Sequence, residues 1–258
     1  FPTVGDYLTF ATDRGDYQGT VIELEQSVQA FSTSGIGVAG MTYDEQKGFL
    51  YLPSKLASFL YVIDVRDDSD GTFEDTNYLD IETILRVKTI TGVNGFRDVI
   101  RVGDLLYLTS RQPDGIVVLN LDEIEDNNTK EASDISALAA LPLHSLLEDG
   151  ELDTLATIGG AGIAITNDKE TLLATHFRGN GVYAFDLEMG AYGQEVAWIP
   201  NIGENPHKIV ISPNGRYAVV ANYIGEIDEL TVSSTLAIID LEPTSDTYLE
   251  VVTWLVNR

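Results

Sequence analysis

A unit of three short β-strands recurs along this chain, and the recurrence constrains its fold more than any other feature. Residues 207–223, HKIVISPNGRYAVVANY, show the first two strands, joined by a Pro-Asn-Gly turn in which glycine tolerates positive φ. The same plan is followed by GVAGMTYDEQKGFLYLPSK, FRDVIRVGDLLYLTSR and GIAITNDKETLLATHFRG. A third strand comes next in each case, as LYVIDV, GIVVLNL, GVYAFDL or TLAIIDL, and TVIELE serves a first, partial copy.

Every third strand carries a polar residue among aliphatic ones, and its position indicates a common register. These residues are Glu23, Asp64, Asn120, Asp186 and Asp240. In the first four copies the polar residue follows the predicted start of the second strand by 15 positions, whereas IGEIDELTVSS lengthens the loop of the last copy. Insertions therefore fall in loops while the strands keep their spacing. A fourth strand is predicted in each copy, as SVQAFST, ETILRVKTI, DTLATI, EVAWIP and EVVTWLV.

Four-stranded units repeated every 40 or so residues are typical of β-propeller blades, because such a unit buries both faces only by stacking between neighbours. We therefore predict an all-β fold, a β-propeller of about five four-stranded blades forming a single domain over residues 1–258. The predicted blades are residues 1–34, 35–93, 94–158, 159–202 and 203–258, with an insertion at 122–152. A β-sandwich with chance repetition is the alternative.

The last repeat resembles a known family. NPHKIVISPNGRYAVVANY followed by LAIIDL is similar to the YVTN-type, lactonase-like propeller repeat, in which Pro-His precedes the first strand and Ser-Pro-(Asp/Asn)-Gly precedes the second. The match is looser in the three middle copies and weak in the first. The resemblance implies a fold superfamily rather than an activity. Because family members usually have more than five blades, we expect either a compact five-bladed ring or part of a larger propeller, and we favour the second.

The chain is strongly acidic, with 15 Lys and Arg against 41 Asp and Glu and a formal net charge of −26. Such a surface repels nucleic-acid phosphates and anionic lipid headgroups, so neither is expected as a partner. There is no cysteine, and no apolar run reaches the ~18 residues of a transmembrane segment. The chain starts at Phe1 without an initiator Met, which suggests a processed chain or a fragment. We expect an extracytoplasmic location, whether periplasmic, cell-surface or secreted.

The insertion at 122–152 is predicted to contain a short helix. Ser133 is a suitable N-cap, Ile135, Leu138 and Ala139 would share one helical face, and Pro142 would end the helix. Such a helix would lie over a blade edge or dock a partner subunit.

A second loop, RDDSDGTFEDTNYLD, has the composition of a calcium site. Hard cations prefer several oxygen ligands from a compact turn, and the carboxylates around Gly71 could supply them. The candidate ligands are Asp68, Asp70, Glu74 and Asp75. Arg66 stands where the EF-hand pattern requires an oxygen ligand, so a solvated acidic loop is the alternative interpretation.

The ends of the second strands and the starts of the first strands should meet at one rim of the central channel. Six of the 15 basic residues are predicted there: Arg14, Lys55, Arg97, Arg111, Arg178 and Lys208. With Asn222 at the same rim, we predict a site for a small anionic ligand or an acidic segment of a partner protein, since arginine forks bind carboxylate and phosphate. The alternative is that these cations pair between blades with Asp13, Asp98, Asp114 and other carboxylates.

Two of the three histidines are candidates for acid–base chemistry at this rim. His176 and His207 come from adjacent blades, and Asp98 or Glu204 could complete a catalytic or metal-binding set. A structural role is the alternative for each histidine. The glycines of residues 159–162 precede a strand rather than a helix, so they indicate close strand packing and not a nucleotide loop.

Three functions are compatible with these features. The favoured hypothesis is a non-catalytic propeller that serves as a ligand- or protein-binding platform or as an assembly subunit. The second is a lactonase-like hydrolase or isomerase acting on a small anionic substrate at the central rim. The third is the cofactor-free propeller subunit of a periplasmic redox enzyme.

Overall fold

The computed structural model describes residues 7–9, 21–23, 40–55, 58–64, 81–88, 95–111, 114–123, 132–143, 159–227, 230–232 and 235–256. Within these residues the chain consists of β-strands, turns and one 3-10 turn, Leu121–Glu123, so the predicted all-β class is confirmed. No helix in this part of the chain has the length and apolar character of a membrane span.

The strands of the described residues form five sheets, and within each sheet the first strands lie side by side in the order of the sequence. Sheet I contains β1 (Tyr7–Thr9) and β2 (Val21–Glu23). Sheet II contains β3 (Thr42–Asp44), β4 (Phe49–Pro53), β5 (Phe59–Asp64) and β6 (Ile81–Lys88). Sheet III contains β7 (Phe96–Val102), β8 (Leu105–Arg111) and β9 (Asp114–Asn120).

Sheets IV and V repeat the same antiparallel order. Sheet IV contains β12 (Gly160–Ile165), β13 (Thr171–His176), β14 (Gly181–Asp186) and β15 (Gln194–Ile199). Sheet V contains β16 (Glu204–Ile211), β17 (Tyr217–Ile227), β19 (Thr235–Asp240) and β20 (Val251–Val256), and β18 (Leu230–Val232) pairs with β17.

The polar residue of each third strand ends that strand. Asp64 pairs with Phe49, Asn120 with Leu105 and Asp186 with Thr171, as the predicted spacing requires. The first copy differs by one position, because Glu23 pairs with Tyr7 rather than with Leu8.

A side-chain turn explains why this position is polar in three of the copies. Asn120 Oδ1 accepts a hydrogen bond from the backbone N–H of Asp122. Asp186 and Asp240 accept the same bond from Glu188 and Glu242. Each side chain thus accepts a hydrogen bond from the backbone N–H two residues later in the sequence. The resulting turn leads the chain away from the sheet.

The predicted helix of the insertion is wrong, because two strands lie there instead. β10 (Ala132–Ser136) pairs in parallel with β6 and so adds a fifth strand to sheet II. β11 (Ala139–Pro142) pairs with β9 and is the fourth strand of sheet III. The open hydrogen-bonding edges of β6 and β9 outweigh a weak helical pattern. Ile135, placed on the helical face by sequence, is instead buried between sheets II and III.

Two of the five predicted fourth strands, SVQAFST and DTLATI, lie outside the described residues. β11 occupies the fourth position of sheet III. The predicted fourth strands of sheets II, IV and V are observed as β6, β15 and β20.

The core lies between stacked sheets. One apolar cluster joins sheets II and III through Tyr51, Val62, Leu108 and Val117. A second joins sheets III and IV, and a third joins sheets IV and V. Because successive side chains of a strand point to opposite faces, each middle sheet contributes one alternate set of residues to each neighbour.

Candidate functional site at the rim of the sheets

The first strands of sheets III, IV and V each contain a β-bulge at the same end. In β7 the pairing with β8 skips Arg97, and in β16 the pairing with β17 skips His207. In β12 the irregularity lies between Gly160 and Ile163. A bulge turns the extra residue out of the ladder and is common beside functional sites. The bulges therefore direct Arg97 and His207 to the rim.

Buried threonine hydroxyls hold two of these bulges. Thr109 accepts a hydrogen bond from the backbone N–H of Asp98 at 3.0 Å and donates one to the carbonyl of Ala161 at 2.7 Å. Thr175 accepts a hydrogen bond from the N–H of Gly162 at 2.7 Å. Both threonines are fully buried and occupy the same register position. The bond from Thr109 to Ala161 also fastens sheet III to sheet IV.

The carboxylate of Asp98, on the first strand of sheet III, contacts the first strands of sheets IV and V. Its Oδ2 accepts hydrogen bonds from Ile163 N–H of sheet IV at 3.2 Å and from Lys208 Nζ of sheet V at 2.5 Å. Its Oδ1 accepts one from its neighbour Val99. A Cβ added to Gly40 would lie 2.2 Å from Oδ1, so the chain before sheet II also passes close by. The carboxylate is almost fully buried, whereas the Lys208 side chain is half-exposed.

The ring of Phe177 contacts both Arg97 and His207 at the rim. The guanidinium of Arg97 lies over the ring of Phe177, 5.0 Å from its centre, which is within the range of a cation–π contact. The ring of Phe177 also contacts His207 edge-on, at 6.4 Å between centres. Phe177 follows β13 directly, so sheets III, IV and V each contribute one member of this stack.

His207 lies in a positively charged environment. Although His207 is exposed overall, partial burial of its ring lowers the pKa of the imidazole below the usual 6.5, the charges of Arg97, Lys55 and Lys208 lower it further, and Asp98 acts in the opposite direction. The ring is thus neutral at pH 7. Of the charged side chains that act on its pKa, three are cations and one is a carboxylate, although the chain has a net charge of −26.

The polar residues at the ends of the second strands are buried rather than open to solvent. These residues are Ser54, Ser110, His176 and Asn222. Asn222 donates from Nδ2 to the carbonyl of Ile202 at 2.5 Å and to Thr235 Oγ1 at 3.1 Å. Asn222 therefore ties the loop before β16 to sheet V.

The two candidate catalytic histidines have different surroundings. His176 is fully buried, its Nδ1 accepts a hydrogen bond from the N–H of Gly179 at 2.7 Å, and its ring contacts Tyr183 and Trp198 edge-on. His207 is exposed and contacts Phe177. A proton carrier must reach its substrate, so only His207 of this pair is open to a ligand.

The remaining predicted site residues are distributed as follows. Arg178 is exposed in the loop between β13 and β14, Glu204 is exposed at the start of β16, and Arg111 ends β8. Arg14 and the proposed calcium ligands Asp68, Asp70, Glu74 and Asp75 lie outside the described residues. Within the described part of the chain, no group of three or more His, Asp or Glu side chains is placed to hold a metal ion.

The glycines of residues 159–162 serve close packing, as predicted. A Cβ on Gly160 would lie 2.7 Å from the carbonyl oxygen of Ser110, and one on Gly162 would lie 2.7 Å from that of His207. β12 therefore approaches the backbones of both neighbouring sheets, which brings Asp98 within reach of Lys208.

Sequence reasoning placed Phe177 at this rim without giving it a role, and it missed Thr109 and Thr175 as parts of the site. The recurrence of threonine at the same position of two second strands was the available signal for the last two. Phe177 carried no comparable signal, because its role depends on the distance between loops of different sheets.

Comparison with solved structures identifies the architecture. Over 88% of this chain, a protein of Bacteroides uniformis proposed to be a 6-phosphogluconolactonase superposes with a TM-score of 0.60 at 15% identity, and the match covers 57% of that protein. The periplasmic gluconolactonase of Pseudomonas aeruginosa matches with a TM-score of 0.60 at 16% identity, over 86% of this chain and 55% of its own. The fold is that of the lactonase-like β-propellers.

The propeller fold is shared more widely than any one activity. Hydrazine synthase of Kuenenia stuttgartiensis superposes with a TM-score of 0.59 at 14% identity, over 88% of this chain. By sequence, no family model and no characterised protein matches the chain. The chain spans between half and three fifths of the length of these propeller structures.

The propeller fold explains why strand ends from several sheets lie together at the rim. Sheets II to V are blades and their first strands lie innermost, so the bulged ends of β7, β12 and β16 lie at the mouth of the channel. The residues around His207 therefore come from four blades: Lys55 from the second, Arg97 and Asp98 from the third, Phe177 from the fourth and Lys208 from the fifth.

Proposed function

We propose that this propeller is an extracytoplasmic binding platform whose rim holds an anionic group, either a small carboxylate or phosphate ligand or an acidic segment of a partner protein. The cluster around His207 is the observation that carries the proposal. The charges of Lys55, Arg97 and Lys208 all act on the imidazole of His207, and Asp98 pairs with Lys208. In the chain as a whole acidic residues outnumber basic ones, so the composition does not lead one to expect a cluster of cations at this point.

The shapes and positions of the rim groups suit anion binding. Arg97 is fixed by its stacking on Phe177, and a pre-positioned guanidinium loses less entropy when it binds an anion. Lys208 remains half-exposed although it contacts Asp98, so its ammonium can also donate to a ligand. Neutral His207 offers one further N–H donor, and it gains a positive charge when it is protonated.

The same geometry supports binding over catalysis. His176 is buried with its Nδ1 engaged, and Asp98 accepts hydrogen bonds from two backbone amides and from Lys208. A carboxylate so engaged is poorly placed to accept a proton from a substrate. This supports a platform whose rim residues bind and do not react.

Calorimetric titration with gluconate and with inorganic phosphate, at low ionic strength and pH 7, tests the proposal. Binding of either probe should be weakened about tenfold by Lys55→Gln and by Arg97→Gln, since a charge-assisted hydrogen bond contributes about 1.5 to 3 kcal/mol. Lys169→Gln is the matched control, because Lys169 is exposed in the turn between β12 and β13. Absence of binding, or equal binding by all the variants, would refute an anion site at the rim.

Lactone hydrolysis is the second candidate, and the names of two structural neighbours favour it. In this case His207 would act as the general base, since a lowered pKa keeps it unprotonated at pH 7. Base release during hydrolysis of glucono-δ-lactone, followed in a pH-stat, should then fall at least 100-fold in His207→Asn. An equal rate for wild type, His207→Asn and buffer would remove this candidate.

A role as an assembly subunit is a form of the platform proposal. One neighbour is named for hydrazine synthesis and others for lactone chemistry, so the fold alone does not select among functions. Size-exclusion chromatography of the protein purified from its source should show co-elution with a stoichiometric partner in this case. The Arg97→Gln variant should lose that partner if its acidic segment occupies the rim.

A further inference from the structure

Residues 201–205, which lie just before the bulge of β16, have an unusual backbone conformation. Asn201, Gly203 and Asn205 all have positive φ, of 58°, 111° and 52°. Residues other than glycine rarely adopt this conformation, and Asn205 also precedes Pro206, a position that normally favours extended backbone. Such conformations persist only where the surrounding structure fixes them, and they are frequent at functional sites.

The turn between β13 and β14 fixes this segment from the neighbouring sheet. Asn180, the last residue of that turn, accepts a hydrogen bond on its side-chain Oδ1 from the backbone N–H of Asn205 at 2.9 Å. Its backbone carbonyl accepts a second bond from the N–H of Ile202 at 3.4 Å. Asn222 of sheet V donates to the carbonyl of Ile202, so both backbone groups of this buried residue are engaged. Asn180 thus fastens the segment to sheet IV at two points.

The turn that carries Asn180 is itself firmly held. The backbone N–H of Phe177 donates to the carbonyl of Gly159 at 2.7 Å, and that of Gly179 donates to His176 Nδ1, also at 2.7 Å. A Cβ added to Gly179 would lie 2.6 Å from the same histidine nitrogen, so a larger residue would clash there. The turn therefore provides a fixed point to which the segment before β16 is attached.

This attachment connects two rings of the rim by a short path. Asn180 lies three residues after Phe177, and Asn205 lies two residues before His207. Pro206 stands between Asn205 and His207, and its restricted φ stiffens the connection. The edge-on contact of Phe177 with His207 is thus tied to the side-chain hydrogen bond between Asn180 and Asn205.

We propose, on the basis of the anion site assigned under the proposed function, that Asn180 is a positioning residue of that site. It holds the imidazole of His207 against the Phe177 ring on which Arg97 is stacked. Without the Asn180 amide, the strained segment keeps only its backbone bond to this turn, so His207 moves away from its neighbours. The donors of the rim are then less pre-organised, and anion binding is weaker.

Asn180→Gly tests the proposal, because glycine keeps the positive φ and removes the side-chain acceptor. Asn201→Gly is the matched control, since Asn201 has the same conformation and is exposed. In Asn180→Gly the calorimetric affinity for gluconate and for phosphate should fall at least about threefold relative to the control. The pKa of His207, followed by NMR, should rise toward 6.5 by at least about 0.3, because the ring becomes less buried and lies farther from the cations.

A conservative variant isolates the hydrogen bond itself. Asn180→Asp keeps an oxygen acceptor and tolerates the left-handed conformation. Hydrogen exchange of the Asn205 amide should stay as slow in Asn180→Asp as in wild type, and it should become at least about tenfold faster in Asn180→Gly. Equal exchange in all three proteins would show that this bond does not hold the segment, and would overturn the proposal.

A loss of stability without a change at the rim would also overturn it. If Asn180→Gly lowers Tm but matches Asn201→Gly in anion affinity and in the pKa of His207, Asn180 only joins two blades. If wild type binds neither probe, the proposed anion function fails. The pKa of His207 in the two glycine variants then still decides whether Asn180 positions the ring.

Discussion

Lys208 Nζ lies 2.5 Å from Asp98 Oδ2, although the two residues belong to blades separated by a third blade. The intervening blade takes part, because Ile163 N–H donates to the same carboxylate oxygen. The pair therefore joins three innermost strands at one point, and it lies beside the group of cations that we assign to ligand binding.

Replacing Asp98 should destabilise the propeller more than replacing Lys208. Asp98→Ala leaves a buried amide and a lysine without their acceptor, so the free energy of unfolding should fall by about 2 to 4 kcal/mol. Lys208→Ala should cost about 1 kcal/mol, because the half-exposed ammonium is partly screened by solvent.

Urea unfolding of both variants and of the double variant measures the coupling between Asp98 and Lys208. The double variant should be little less stable than Asp98→Ala, since the two substitutions remove the same contact. Strict additivity would contradict the coupling. Lys169→Ala provides the reference for loss of an exposed lysine.

His207 should give the protein an acid-sensitive component of stability. Burial and the neighbouring cations lower the pKa of His207 in the folded state below 6.5. As pH falls below 6.5 the unfolded chain therefore takes up this proton first, and the folded state loses stability until its own pKa is passed. Between pH 7.5 and 5.0 the Tm of wild type should fall by about 1 to 3 °C more than that of His207→Asn. Parallel Tm curves would contradict this assignment.

Asp240 should likewise make the protein less stable as pH falls, but over a lower pH range. A hydrogen bond from the Ser245 side chain, followed by those from Glu242 N–H and Thr247, lowers the pKa of Asp240 to about 2. Its stabilising effect is complete above the unfolded value of 3.8 and disappears as pH falls toward about 2. Asp240→Ala should therefore have a lower urea midpoint than wild type at pH 7, and the difference should narrow as pH falls from about 4 to about 2.

A conservative variant separates the roles of the two Asp240 oxygens. Asp240→Asn keeps an oxygen for the N–H of Glu242, as Asn120 does naturally in its own blade, but loses the carboxylate that accepts from Thr247. Its midpoint at pH 7 should lie between those of wild type and Asp240→Ala. A midpoint equal to that of Asp240→Ala would show that the turn contributes nothing.

Gly162→Ala should disrupt the contact between the fourth and fifth blades. The new methyl group would lie 2.7 Å from the carbonyl oxygen of His207 and 3.0 Å from the backbone nitrogen of Ile209, and neither atom can move alone. Unfolding free energy should fall by at least about 2 kcal/mol, and anion affinity should fall with it as the rim shifts.

Gly103→Asn is the control for the glycine substitution. Gly103 has a φ of +59° and nothing within 4 Å of a new Cβ, and asparagine tolerates that conformation. This variant should lie within about 1 kcal/mol of wild type. Equal losses in the two variants would mean that backbone conformation, not blade packing, governs both sites.

The repeating strands could be predicted because alternation and turn residues are local signals. The Pro-Asn-Gly turn before β17 and the polar residue at the end of each third strand fix their positions without any knowledge of neighbours. The strands of the insertion could not be predicted in this way. β10 and β11 exist because β6 and β9 offer free edges, and those partners are distant in sequence.

The composition of the rim was predictable, but its arrangement was not. The sequence placed Lys55, Arg97, His207 and Lys208 at one end of the blades, since that prediction needs only the strand order. The bulges that take Arg97 and His207 out of the strand pairing are visible only in the structure. The burial of His176 involves Tyr183 and Trp198, whose rings contact it from β14 and β15 of the same sheet.

The parallel pairing of β10 with β6 affects the order in which the chain folds during synthesis. The ribosome completes β7, β8 and β9 before residues 132–136 appear, so the edge of β6 stays bare while the following blade is already being made. Long-range pairing of this kind slows folding and exposes a strand edge in the meantime. The second and third blades therefore reach their final form together, as a coupled pair on the nascent chain.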